Sequence, residues 1–86
     1  MIKSFTDNAW EEFKYWQQED KKIEKKIIKL LDDIDRHPSE GLGKPEHLSY
    51  LGKNIWSRRI TDEHRLVYTW TEDNIIVYQC RYHYNK

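Results

Sequence analysis

One cysteine among 86 residues leaves no partner for an intramolecular disulfide, and no Cys/His cluster has the spacing of a zinc site. Both staples of very small domains are therefore excluded. Long apolar runs are missing as well. Nothing approaches the ~20 consecutive apolar residues of a membrane span, and Met1-Ile2-Lys3-Ser4-Phe5 lacks the apolar centre of a signal peptide. The expectation is a cytoplasmic protein with no membrane partner. Net charge is also lacking, since fifteen Lys+Arg balance fifteen Asp+Glu, whereas a protein that holds nucleic acid by phosphate neutralisation alone is usually strongly basic. What the chain does have is aromatic side chains, 14% of the total, which argues for a packed core and against disorder. A length of 86 residues has room for one small domain covering 1–86.

Ile2 to Phe5 is a short candidate strand, after which Thr6 can cap a helix whose first turns carry Asp7, Glu11 and Glu12. Trp10, Phe13 and Trp16 recur at helical spacing. From Lys21 onward Ile23, Ile27, Leu30, Leu31 and Ile34 form an apolar stripe between charged faces. Asp20 can cap this second stretch, giving a helical hairpin, with one long bent helix as the alternative. Pro38 ends the helical region. The segment from His37 to Pro45 holds both prolines and two of the three glycines, and reads as an irregular loop.

Downstream, Ile55 to Ile60, Leu66 to Trp70 and Ile75 to His83 are rich in β-branched and aromatic residues and are separated by polar clusters. The pattern predicts an α+β fold in which an N-terminal strand and a helical hairpin pack on one face of an antiparallel β-meander. The other sheet face has no cover within the chain. Such a meander brings Arg58, Arg59, Arg65 and Arg81 to one edge with His83 and Tyr84, a gathering suited to a polyanion. Ordinary wet pairing of these arginines with Glu46, Asp62 or Glu63 is the plainer reading. Side-chain parity favours an odd loop or bulge between the last two strands. That arrangement puts Arg65 with Arg81 and His83, and Leu66, Tyr68 and Trp70 with Ile76, Tyr78, Cys80 and Tyr82 on the core face.

His83 is the side chain most able to exchange a proton near neutrality, and arginines around it would stabilise charge developing on a phosphate. Glu46, following Lys44-Pro45, is a candidate base, with Asp62 and Glu63 as competitors. His47, His64 and His83 share no ligand spacing, so no metal site is expected. Cys80, set among aromatics, reads as a small buried hydrophobe.

Three separated motifs then become recognisable: Gly41-Leu42-Gly43-Lys44-Pro45-Glu46, the run from Ile55 to Tyr68 (IWSRRITDEHRLVY), and Cys80-Arg81-Tyr82-His83-Tyr84. Together they resemble the YoeB toxins of bacterial toxin–antitoxin systems, within the RelE/ParE-like superfamily, over essentially the whole chain. The resemblance implies a RelE-like microbial RNase fold and a ribosome-dependent endoribonuclease that cuts messenger RNA in the ribosomal A site. Carried over by residue, it implies Glu46 as general base toward the ribose 2'-hydroxyl and His83 as general acid for the leaving 5'-oxygen. Arg65 would stabilise the phosphorane, Tyr84 would position the scissile group, and Lys44 and Arg59 would hold the RNA backbone. No metal or other cofactor is implied. The implied partners are a labile YefM-like antitoxin, the ribosome, operator DNA bound together with the antitoxin, and a second copy in a homodimer. A ParE-like alternative, in which the same fold occludes a protein target without catalysis, requires the acid–base set to be scattered. His47 departs from the second proline more common in the family, Ser49 from a basic residue, and Asn85-Lys86 extend past the usual end.

Overall fold

The computed structural model describes residues 1–83. Tyr84 therefore lies outside the described residues. In chain order the elements are β1 (Ile2–Phe5), α1 (Asp7–Glu19), α2 (Lys21–Arg36), β2 (Glu46–His47), β3 (Trp56–Arg59), β4 (Arg65–Trp70) and β5 (Asn74–Gln79). Thr6 begins α1 as expected, its hydroxyl accepting the Ala9 N–H. Asp20 is extended, ends α1, and accepts the N–H groups of Lys22 and Ile23 at the start of α2. A single residue thus breaks the helix, and the hairpin holds against the bent-helix alternative.

The strands form one five-stranded sheet in the order β1-β5-β4-β3-β2. β2 to β5 pair antiparallel as the meander requires, while β1 adds to the β5 edge in parallel. Both helices cover one face of this sheet. Ile27, Leu30, Leu31 and Ile34 of α2 and Ala9, Phe13 and Trp16 of α1 meet Leu66, Tyr68, Ile75, Val77 and Cys80 in the core. The α2 stripe read from periodicity is the stripe that is buried.

Strand β5 departs from expectation in two ways. It ends at Gln79, short of His83, and its bulge lies within the strand rather than at the turn. Trp70 pairs with Ile75 across an even turn and Tyr68 with Val77, but Val67 pairs with Gln79, so one extra residue, Tyr78, enters β5. The bulge inverts parity along the strand. Before it Ile75 and Val77 face the core; after it Cys80 does. Ile76 and Tyr78 are consequently not core residues, and Tyr82 is exposed.

Candidate functional site

Pairing and parity put Trp56, Arg58, Leu66 and Tyr68 on the helix-covered side of the sheet. Glu46, Ser57, Arg59, Arg65 and Val67 then share the other side, which is not left bare as expected, because Leu48 and Ile55 of the β2–β3 connection pack on Val67 and Ser57 is buried. Glu46 is opposite Ser57, Ser57 opposite Val67, and one rung along Arg59 is opposite Arg65. The carboxylate-bearing strand is thus two strand spacings, about 10 Å, from the strand of Arg65. Long side chains span such a gap.

Arg59 and Lys44 are exposed on this side and in the loop beside it. Arg65 is buried, with Nη1 donating to the carbonyls of Thr61, Asp62 and His64. Those bonds fix the guanidinium plane, and its remaining donors keep the fork geometry that suits phosphate. The Arg65 amide donates to the Tyr82 carbonyl at 3.0 Å, which attaches the segment carrying His83 to the start of β4. Tyr82 takes a left-handed φ of 64°. His83 follows it and is exposed.

One of the four arginines expected at one edge belongs elsewhere. Arg58 is fully buried on the helix side and is the hub of the loop from His37 to Pro45. Its five N–H groups have five acceptors: Asp33, Tyr68 Oη and the carbonyls of His37, Glu40 and Leu42. Tyr68 donates in turn to the Pro38 carbonyl. This guanidinium orders the loop that presents Lys44 and Glu46. The strand pattern held a signal of its inward aim, because Trp56 and Ile60, two residues away on either side, are apolar. Arg81 stays beside the His83 segment, its guanidinium carbon 3.6 Å from the Tyr15 ring centroid on α1 and 4.7 Å from that of Tyr82, both cation–π contacts.

Glycine is required twice in the loop. Gly41 has φ +111°, and a Cβ there would lie 2.2 Å from Asp33 Oδ2. Gly43 has φ +79°, and its carbonyl accepts the Arg59 N–H at 2.6 Å, tying loop to strand. His47 bonds through Nε2 to the Lys53 carbonyl and stacks on Trp56, so this departure closes the connection between β2 and β3. The Leu42 amide and the Arg58 guanidinium hold the Asp33 carboxyl below its ordinary range. Burial raises the Tyr68 hydroxyl, and burial with Glu12 nearby pushes the Cys80 thiol up to about 12. Among the described residues no three His, Cys, Asp or Glu side chains are gathered to hold a metal, and no helix is long and apolar enough to cross a membrane.

A five-stranded mixed sheet with two helices on one face matches the architecture of the YoeB and RelE-like bacterial toxins. The YoeB dimer of Staphylococcus aureus superimposes with a TM-score of 0.93 at 48% identity over 98% of each chain. The YoeB of a heterotetrameric YoeB–YefM complex from the same organism gives 0.89 at 50% identity over 98% of each. In sequence, toxin YoeB of Escherichia coli (strain K12) is 50% identical over 80 residues, 93% of this chain and 95% of that one. The family model for YoeB-like toxins of bacterial type II toxin–antitoxin systems matches residues 5–84, and the chain belongs to that family.

Proposed function

We propose that residues 1–86 act as one toxin domain, a ribosome-dependent endoribonuclease that cleaves messenger RNA in the A site without a metal. One observation supports this above others: Glu46, Arg59 and Arg65 share the sheet face opposite the helices, and the segment bearing His83 is bonded to the Arg65 amide. Glu46 takes the proton of the ribose 2'-hydroxyl, the resulting oxygen attacks the adjacent phosphorus, and His83 protonates the departing 5'-oxygen. Arg65 stabilises the charge that accumulates on the phosphorane, Tyr84 positions the scissile group, and Lys44 and Arg59 hold the flanking backbone. The products are a 2',3'-cyclic phosphate and a 5'-hydroxyl. No external water enters this step.

Zero net charge leaves the protein without a long-range field to collect free RNA, so the ribosome supplies the ordering of the substrate. The partners proposed are a YefM-like antitoxin, by analogy with the Staphylococcus aureus complex, operator DNA through that antitoxin, and a second copy of the chain. The setting proposed is the cytoplasm, where ribosomes are.

End-mapping of messenger RNA from purified ribosomes tests the reading. The expected result is a cut within the A-site codon with a 5'-hydroxyl end, slowed ~10²- to 10⁴-fold in Glu46→Gln and in His83→Gln. Intact message in a culture that the protein nevertheless arrests would favour the ParE-like mode and overturn the nuclease.

A further inference from the structure

Beyond Gln79 the chain leaves the sheet, and side chains serve several of its backbone groups. The Cys80 N–H donates to Glu12 Oε1 at 2.8 Å and its carbonyl accepts from Trp16 Nε1 at 2.9 Å, both partners standing on α1. Two residues on, the Tyr82 N–H donates to His64 Nδ1 at 2.7 Å. His64 is held for this task. Its ring stands edge-on to Trp16 with centroids 4.8 Å apart, and its own amide donates to Thr61 Oγ1. Because a backbone N–H can only donate, His64 Nδ1 must be the lone-pair nitrogen, with the ring proton on Nε2.

The conformation at Tyr82 makes this bond consequential. A non-glycine residue at φ 64° persists only where its surroundings over-determine it. Here the N–H is taken by His64, and the carbonyl accepts from the Arg65 amide and from Gln79 Nε2. Residues 64 and 65 therefore grip both sides of the one turn from which His83 emerges. The site is near the surface, where water would satisfy a freed amide at little cost to the fold. The bond thus matters more for where the next residue stands than for stability.

We propose that His64 is a positioning residue, whose Nδ1 holds Tyr82 in its left-handed turn and so sets the placement of His83. The inference rests on the reading of His83 as the acid. It also makes a structural claim that needs no ribosome. A misplacement of about 1 Å at a reacting group costs up to ~10²-fold in rate, so loss of the acceptor should lower kcat ~10- to 100-fold. Substrate binding, which depends on Lys44, Arg59 and the ribosome, is expected to change little.

Three variants separate acceptor from bulk. Asparagine carries an oxygen at the distance of Nδ1 from the backbone, glutamine carries its amide farther out, and alanine has neither. On programmed ribosomes His64→Ala and His64→Gln should lose kcat with KM within about threefold of wild type, and His64→Asn should recover most of the rate. Amide hydrogen exchange of the free protein should show Tyr82 protected in the wild type and His64→Asn, and fast in the other two. Equal kcat in His64→Asn and His64→Gln, or unchanged Tyr82 protection in His64→Ala, overturns the proposal; the first comparison stands even if the alanine variant does not fold. A wild-type protein that leaves the message uncut would defeat the nuclease reading, while the exchange data would still judge the clasp.

Discussion

Arg58 and Arg59 are adjacent in sequence and opposite in task. Alternation along β3 sends Arg58 into the helix-covered core, where Asp33, Tyr68 and three carbonyls surround it, and leaves Arg59 exposed on the opposite face. Removing Arg58 leaves the Tyr68 hydroxyl and three carbonyls without their donor, at a cost of about 1–3 kcal/mol for each group left unsatisfied. Arg58→Ala is therefore expected to lower the urea midpoint by that equivalent and to lose activity through the fold. Arg59→Ala should leave stability within about 0.5 kcal/mol and weaken engagement of the message instead. Urea denaturation of both variants beside a cleavage assay makes the comparison. Comparable stability loss in the two would contradict the division of labour.

At the scale of elements, small local devices decide the layout. Asp20 is at once the last cap of α1 and the first of α2, and its extended backbone turns one helical tract into two. Asp20→Ala removes a cap worth about 1 kcal/mol and exposes the Lys22 and Ile23 amides. A thermal unfolding midpoint lower by several degrees is expected, by the size scaling of small domains; an unchanged midpoint would show the cap to be idle. The Tyr78 bulge is the second such device. It lets Val77 and Cys80 both reach the core although three positions apart, which strict alternation forbids. Helix periodicity, Thr6, Asp20 and the three main strands were legible in the residues, because each rests on neighbours within a few positions. The bulge was legible only as a need for a parity change, since its place depends on the pairing of β4 with β5.

Over the whole molecule, one face of the sheet makes the main core, and the other carries the charged set beside a small cluster of Leu48, Ile55 and Val67. The Asp33–Arg58 pair links them, because it anchors the loop bearing Lys44 and Glu46 to α2. The carboxyl of Asp33 titrates below its ordinary 3.8 in the folded state. Its ionised form therefore stabilises the fold fully above that unfolded value, and this contribution disappears as pH falls through the lower folded value. Stability should decline as pH drops below about 4, followed as the urea midpoint at a series of pH values. Asp33→Asn should start lower at neutral pH and decline less; parallel profiles for the two proteins would remove Asp33 as a source of the acid sensitivity.

What residue order settled unaided was the local and the periodic: where helices begin and stop, which helix stripe is apolar, and that a meander follows a loop rich in glycine and proline. These follow from interactions between neighbours in the chain. Tertiary pairing alone decided that β1 joins the sheet beside β5 and that Glu46 shares a face with Arg65. It also revealed His64 as the acceptor for the Tyr82 amide. The physical reason is that a side chain's face and partners depend on register between distant strands, and a bulge of one residue reverses them at a place that local composition does not mark.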